Sequence, residues 1–158
     1  NIGGFQTDAS YRYNAHCSLS AGYLFDIAKV HEATTDVAGI NLTGRYLAQV
    51  PKHRATFQVH FTHPDLATVA FETEYVGHQF DDDQNMARIL PNVADKTEVG
   101  LPGFAMVNLT ASRNITRQVS AFVGVQNLFD TLYYVGTNPT TIGTPRLING
   151  GIRIRVGR

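Results

Sequence analysis

Residues 53–77 read HRATFQVHFTHPDLATVAFETEYVG, and this stretch decides the fold. From residue 53 to residue 62 every second side chain is apolar, namely Ala55, Phe57, Val59 and Phe61. After a short segment that contains Pro64, alternation resumes at residue 66 and continues to residue 77. Successive side chains of a β-strand point to opposite faces, so a period of two indicates a strand with one apolar and one polar face. The stretch therefore predicts two antiparallel strands joined by a tight turn.

Five further segments show the same alternation, and no segment has a convincing helical period. The seven predicted strands span residues 3–13, 17 to about 30, 53–62, 66–77, 104–113, 119–129 and 147–156. Aromatic side chains concentrate near both ends of these strands, which is typical of the interfacial girdles of membrane barrels. They are Tyr11, Tyr13 and Phe61 near the short turns, and Tyr23, Phe25, Tyr75, Tyr133 and Tyr134 near the long connections.

The connections between the strands alternate strictly between short and long. Short turns are predicted at residues 14–16, 63–65 and 114–118, and long connections at residues 31–52, 78–103 and 130–146. Three long connections without predicted secondary structure are unusual in a compact soluble domain. They are expected in an outer-membrane barrel, which has short turns at one end and long loops at the other. Strands of about 10 residues, tilted by roughly 45°, also match its apolar band of about 25 Å.

Composition excludes several classes of protein. The chain has 158 residues, with 13 Lys and Arg against 13 Asp and Glu, and only 16% of its residues are charged. A protein that binds nucleic acid by neutralising phosphates needs an excess of basic residues, so we expect no nucleic-acid partner. The 43% of hydrophobic residues also argues against a disordered chain. Cys17, the single cysteine, can form neither an internal disulfide nor a cysteine-based zinc site.

Four segments, in this order and spacing, resemble the C-terminal part of the β-barrel of TonB-dependent outer-membrane receptors. They are Val50-Pro51-Lys52-His53-Arg54, residues 75–85 (YVGHQFDDDQN), Gln126-Asn127-Leu128-Phe129-Asp130 followed by Tyr133-Tyr134, and residues 143–156 from Gly143-Thr144-Pro145-Arg146 to Gly151-Ile152-Arg153-Ile154-Arg155-Val156. The resemblance covers essentially the whole chain. It implies an all-β, antiparallel transmembrane barrel segment of about seven strands, in a wall of about 22 strands with a plugged lumen.

The resemblance also implies a function and a set of partners. Residues 1–158 would be a fragment of a receptor in the bacterial outer membrane that takes up a scarce substrate, most commonly a ferric siderophore, with energy supplied through the TonB complex. The plug domain and the TonB box, absent from residues 1–158, would lie upstream. The expected partners are outer-membrane lipid, the barrel-assembly machinery, the TonB complex, and a small-molecule or metal-chelate substrate. We expect no enzymatic activity and no cofactor.

The last predicted strand resembles the signal by which the family's barrels are recognised for membrane insertion. That signal has a polar residue, then glycine, then hydrophobic or aromatic residues at alternate positions. Asn149, Gly151, Ile154 and Val156 occupy the corresponding positions. Unlike the usual family pattern, no aromatic residue closes the signal in this chain.

Two groups of charged residues are weaker candidates for binding. Arg153 and Arg155 share one face of the last strand and could contact an anionic substrate, although such arginines usually pair with acidic residues of the wall or plug. Asp81, Asp82 and Asp83 could coordinate Ca²⁺ together with Gln84 and Asn85, but the segment lacks the glycine and terminal glutamate of an EF-hand loop. For these acidic residues we therefore expect a solvated loop tip without a bound metal.

Two other architectures fit the alternation. One is a small passive outer-membrane barrel, similar to a porin or an adhesin, in which an eighth strand precedes residue 1. The other is a soluble β-sandwich binding module that buries Phe57, Val59 and Phe61 in a core. Strand length together with the asymmetry of the connections favours a membrane barrel over the sandwich.

Overall fold

The computed structural model of the chain describes residues 1–33, 39–89 and 98–156. The strands are β1 (Ile2–Arg12), β2 (Cys17–Ala28), β3 (His53–Thr62), β4 (Thr68–Val76), β5 (Phe104–Asn114), β6 (Val119–Gln126), β7 (Tyr134–Thr137), β8 (Thr140–Ile142) and β9 (Leu147–Ile154). Among these residues, no helix is long and apolar enough to cross a membrane.

Seven of the strands form one antiparallel sheet in the order β1-β2-β3-β4-β5-β6-β9. All seven were predicted from alternation, and the all-β antiparallel fold is confirmed. The ends differ by a few residues. The predicted strand at residues 119–129 is too long, because Asn127 adopts a φ of 50° and turns the chain out of the sheet. The predicted start at Leu66 is two residues early, since Leu66 donates its amide hydrogen to the His63 carbonyl within the turn.

The third long connection, predicted to lack secondary structure, contains the hairpin β7–β8. Its strands have four and three residues, which is too short for a period of two to be recognised in the sequence.

The register aligns the apolar positions of neighbouring strands on one face, called here the outward face. Across the middle of the sheet, for example, Phe57 of β3 lies opposite Ala21 of β2 and Thr73 of β4. The next position, Gln58, lies on the opposite, inner face between Ser20 and Glu72. A shift of one residue would exchange the two faces, so the pattern excludes such a shift, and the short turns set the remaining choice of register.

No described residues form a second layer over the apolar outward face. Phe5 is 56% exposed and Ile152 is 67% exposed, whereas the buried hydrophobic side chains of the described residues are Ala28, Val76, Ile89 and Leu101. The solvent-accessible surface of the chain is 10988 Å², whereas about 7,900 Å² is expected for a globular protein of its mass. A β-sandwich would bury this face, so the structure contradicts the soluble-sandwich alternative.

The sheet does not close on itself. Strand β1 pairs only with β2, and β9 pairs only with β6, within the part of the chain that the structure describes. The turns after β1, β3 and β5 are short, and all lie at one end of the sheet. The connections after β2, β4 and β6 are long, and their described residues lie together at the other end.

Candidate functional site

The candidate site consists of the described residues of the three long connections and of the polar inner face beneath them. We call residues 29–52 long loop 1, residues 77–103 long loop 2 and residues 127–146 long loop 3. Loops at the end of a barrel carry specificity, since the strands hold them in place while their sequences remain free to vary. Side-chain contacts between the three loops join them into one surface.

Asp81 of long loop 2 joins all three loops. Its Oδ1 accepts a hydrogen bond of 3.0 Å from Nε2 of Gln49 in long loop 1. Its Oδ2 accepts from the backbone amide and from the hydroxyl of Thr137 in long loop 3, at 2.7 and 2.6 Å. Thr137 is only 7% exposed, so these bonds are partly shielded from water.

The protonation of Asp81 is coupled to these contacts. Burial raises the pKa of the carboxyl, but the hydrogen bonds from Thr137 and Gln49 together outweigh burial and hold its pKa below the ordinary value. The carboxylate is therefore charged at neutral pH, as its role as acceptor of three hydrogen bonds requires.

A second link between long loops 1 and 2 runs through Asn85. Its side-chain oxygen accepts from the Tyr46 amide at 2.7 Å, and its side-chain nitrogen donates to the Tyr46 carbonyl at 2.8 Å. The Tyr46 ring also stacks on Phe80, with 5.5 Å between ring centroids. The backbone amide of Gln49 donates to the Phe80 carbonyl close by.

Two lysines lie against the ring of Tyr46. Nζ of Lys29 is 4.5 Å from the ring centroid, and Nζ of Lys52 is 4.4 Å from it. A hydrogen bond with Lys52 is the largest influence, and together with the weaker effect of Lys29 it holds the pKa of the Tyr46 phenol below its ordinary value, although burial acts in the opposite direction. We call these three residues the Tyr46 cluster.

Asn127 organises the base of long loop 3. Its side-chain nitrogen donates to the carbonyls of Thr131 and Thr144, and its side-chain oxygen accepts from the Thr131 amide. It is 2% exposed and has a positive φ, a conformation that asparagine tolerates better than most residues. Asp130 also has a positive φ and accepts from the Arg146 amide at 2.8 Å. Asn127 and Asp130 thus turn the chain out of β6 and into long loop 3.

The inner face beneath the loops is polar and hydrogen-bonded from strand to strand. Ser20 donates to Gln58, and Gln58 donates to Glu72, at 3.4 and 3.2 Å. Asn108 lies next in register to Glu72 and accepts from the backbone amide of Asn127. A row of polar groups across neighbouring strands is what a wet lumen allows and what a lipid-facing surface excludes.

The acidic segment has structural contacts in this fold. Asp81 binds long loops 1 and 3 as described, and Asp82 accepts from the amides of Met86 and Ala87. Asp83 is exposed and makes no hydrogen bond within the described residues. No group of three or more His, Cys, Asp or Glu residues among the described positions is arranged to hold a metal ion.

Arg153 and Arg155 lie at the far end of the sheet from the long loops. Both line a cavity of about 440 Å³ together with Phe122 and with His63 and Pro64 of a short turn. Both arginines line the same cavity, as expected for two residues that share one face of a strand. Their position beside the short turns separates them from the Asp81 contacts and from the Tyr46 cluster.

The proposed assembly signal divides between the faces of β9. Asn149 and Gly151 lie opposite Gly124 and Phe122 on the inner face, and Ile154 lies opposite Val119 on the outward face. Val156 follows the end of β9 and is 96% exposed. A Cβ at residue 151 would approach the Phe122 ring to 3.0 Å, which is a packing reason for glycine there.

Three residues of the loop contacts were not singled out in the sequence: Tyr46, Gln49 and Thr137. They lie outside the strands, where no periodicity marks them, and their partners are far away along the chain. The one usable signal was the polar and aromatic segment at residues 75–85, which supplies Phe80, Asp81 and Asn85.

Tyr133 is also placed differently from the girdle prediction. Its ring stacks on Phe104, with 4.3 Å between ring centroids. Phe104 lies opposite Val76, on the inner face. Tyr133 therefore packs at the base of long loop 3, because Asn127 and Asp130 turn the chain before it.

Solved structures of uptake receptors and transporters share this fold over nearly the whole chain. The ferric citrate transporter FecA, in its unliganded form, has a TM-score of 0.74 and 24% identity, with 96% of this chain and 24% of FecA covered. The ferric yersiniabactin uptake receptor FyuA from Yersinia pestis has a TM-score of 0.73 and 17% identity, with 97% and 23% covered. The ferripyoverdine receptor of the outer membrane of Pseudomonas aeruginosa has a TM-score of 0.67 and 20% identity, with 97% and 19% covered.

This chain thus spans at most 24% of the length of these three proteins. A search of curated protein sequences found no match.

The family comparison identifies the barrel directly. Residues 1–128 match the family described as TonB dependent receptor-like, beta-barrel. Its members are receptors and transporters rather than enzymes, and their barrels are outer-membrane proteins of Gram-negative bacteria. The match agrees with the open antiparallel sheet, the apolar outward face and the alternating connections. The resemblance seen in the sequence is confirmed: the chain belongs to the TonB-dependent receptor family, and it forms part of the β-barrel of such a receptor.

Proposed function

We propose that this chain is the C-terminal part of the barrel wall of an outer-membrane receptor that takes up a metal chelate, most often a ferric siderophore, with energy supplied through TonB. The family match over residues 1–128 is the observation that carries the proposal. In this role, the outward face contacts lipid, the inner face lines the lumen, and the three long loops face the cell exterior.

The open edges of the sheet support a larger assembly. In lipid, each unpaired backbone group costs several kcal/mol, so β1 and β9 need partner strands. Further strands upstream would close the barrel, and an upstream plug would fill it. Residues 1–158 form a fragment of the barrel domain in this proposal, without the plug or the TonB box.

The names of the similar structures support the substrate class. Ferric citrate, ferric yersiniabactin and ferripyoverdine are all ferric chelates, and a further similar structure is the copper transporter OprC.

The two remaining predicted interactions belong to assembly and energy coupling. The barrel-assembly machinery would recognise Asn149, Gly151, Ile154 and Val156 at the exposed edge of β9. Contact with TonB would occur through the upstream region.

Arg153 and Arg155 lie close to the short turns. They are therefore better placed to pair with a plug than to contact a chelate that arrives from the long loops.

Uptake by the full-length receptor tests this function. In a strain lacking its own siderophore receptors, expression of the full receptor should give accumulation of radiolabelled iron from at least one of a panel of ferric chelates. Deletion of the TonB gene should abolish that accumulation, because uptake against a gradient requires energy. Accumulation that persists without TonB would contradict the proposal and favour the passive barrel, and no accumulation from any chelate would refute the substrate class.

A further inference from the structure

The cavity of about 440 Å³ beside the short turns is built by the inner face of the sheet. The register of the strands brings its lining residues together. Asn114 of β5 lies opposite Ser120 of β6, and Ser120 lies opposite Arg153 of β9. Thr68 of β4 lies opposite Ser112 of β5. Residues opposite each other in an antiparallel pair have side chains on the same face, so the cavity extends across β4, β5, β6 and β9.

Two guanidinium groups form one side of this cavity. Arg153 and Arg155 are two residues apart, which separates them by roughly 7 Å along the chain. The backbone amide of Arg155 donates to the Gln118 carbonyl and so continues the pairing of β9 with β6. His63, in the short turn after β3, lines the cavity from the other side. The cavity therefore has two fixed positive charges at one wall.

No carboxylate neutralises these charges within the part of the chain that the structure describes. The lining residues include neither Asp nor Glu. Neither arginine side chain forms an ion pair or a hydrogen bond with a described residue. Glu72 is four residues from Thr68 along β4, which is roughly 13 Å, and it accepts from Gln58. Asp65 lies in the same turn as His63 but does not line the cavity.

The floor of the cavity supplies further hydrogen-bond donors. Four of its side chains carry a hydroxyl or an amide group and form no hydrogen bond within the described residues, namely Thr68, Ser112, Asn114 and Ser120. Guanidinium groups bind carboxylates strongly, because the hydrogen bonds are charge-assisted and two of them can form in parallel. The volume also lies within the range of small-molecule sites, which is about 300 to 1,000 Å³.

We propose that this cavity binds a small anion with at least two carboxylate groups. Arg153 and Arg155 each donate to one carboxylate, and the floor donates to the remaining oxygens. A carboxylate of the upstream plug is the competing occupant. A small polycarboxylate is favoured because two guanidinium groups and four further donors match more acceptor oxygens than the two of one acidic side chain.

The position of the cavity gives it a place in transport. In the receptor proposed above, the short turns lie at the end of the lumen from which a substrate leaves. The cavity would hold an anionic substrate there, far from the long loops where it enters. This role rests on the proposed function, whereas binding of the anion in the purified protein does not.

The test uses the full-length receptor, purified in detergent, with two probes. Citrate carries three carboxylates, and trimethyl citrate has the same carbon skeleton without the charges. Isothermal titration calorimetry should show saturable binding of citrate and no binding of the ester. We expect the Kd for citrate to rise about 10- to 100-fold in the double variant Arg153→Gln, Arg155→Gln, because each arginine contributes charge-assisted hydrogen bonds.

The double variant Arg113→Gln, Arg117→Gln is the matched control. It removes two positive charges near the same short turns, but neither residue lines the cavity. Arg113 lies opposite Ala121 on the outward face, and Arg117 lies in the turn between β5 and β6. The control should therefore leave the Kd for citrate unchanged. Migration of unheated receptor on gels checks that each variant forms a folded barrel.

Three results would overturn the proposal: no citrate binding to the wild type, equal loss of binding in the two double variants, or binding that the Arg153 and Arg155 substitutions leave unchanged. If the wild type does not bind citrate and the cavity variant alone lowers the Tm, a carboxylate of the plug is the occupant instead. Citrate binding that is retained in a receptor without chelate uptake would support the site while refuting the proposed function.

Discussion

Replacing Asp81 with alanine is expected to uncouple the three long loops. The Thr137 amide, which donates to Asp81 at 2.7 Å, would lose its partner in a site where Thr137 is 7% exposed. Leaving a buried N–H unpaired costs roughly 1 to 3 kcal/mol, so amide exchange at Thr137 should accelerate about 10- to 100-fold. Hydrogen exchange of the full-length receptor, read by mass spectrometry, measures this change.

Asp83→Ala provides the control for this prediction. Asp83 is two residues away and carries the same charge, but it makes no hydrogen bond within the described residues. Its replacement should leave the exchange of Thr137 unchanged. Equal acceleration in the two variants would mean that net charge, rather than the contacts of Asp81, holds the loops together.

Acid should uncouple the three long loops of the wild-type protein, as the Asp81→Ala substitution does. The pKa of Asp81 is lowered in the fold, so its stabilising effect is fully present above the ordinary aspartate pKa of about 4. The effect is lost as the pH falls through the lowered pKa, because a protonated carboxyl no longer accepts all three hydrogen bonds. Protection of Thr137 in the wild type should therefore decline in acid, and the Asp81→Ala variant should lack this dependence.

Placing lysine at Phe57 is expected to impair the barrel far more than placing it at Gln58. Phe57 is on the outward face near the middle of β3, and Gln58 is its neighbour on the inner face. A lysine facing lipid near the bilayer midplane destabilises a barrel by about 2 to 4 kcal/mol. At residue 58, a lysine would meet water and Glu72, so little loss is expected.

The two lysine variants form a matched pair, since they introduce the same side chain at adjacent positions. Denaturant titration of the full-length receptor in lipid bilayers measures the free energy of unfolding of each. If Gln58→Lys were the more costly substitution, the assignment of the two faces would be reversed.

The strands could be predicted from the sequence because each carries its own evidence. In β3, the alternation of Ala55, Phe57, Val59 and Phe61 needs no knowledge of any other segment. The pattern also limits the register, since a shift of one residue would place the apolar side chains of neighbouring strands on opposite faces. The short turns then select among the remaining registers. The family could also be identified from the sequence, because its motifs are short continuous segments at the strand ends. Each of them can be recognised without knowing which other segments it contacts.

The loop contacts could not be predicted in the same way. Asp81 and Thr137 are 56 residues apart, and Tyr46 and Asn85 are 39 residues apart. Nothing local in the sequence distinguishes Asp81, which joins three loops, from Asp83, which is exposed. The hairpin β7–β8 was missed for a different reason, because three or four residues are too few to establish a period.

Spin labels at four successive positions of β3 test the central claim most directly. With Cys17 replaced by serine, a label is placed in turn at residues 56, 57, 58 and 59 of the full-length receptor in lipid bilayers. The structure predicts that collisions with oxygen, which concentrates in lipid, are frequent at residues 57 and 59 and rare at residues 56 and 58. Uniform accessibility, or oxygen maxima at residues 56 and 58, would contradict the assignment of the apolar face to the membrane.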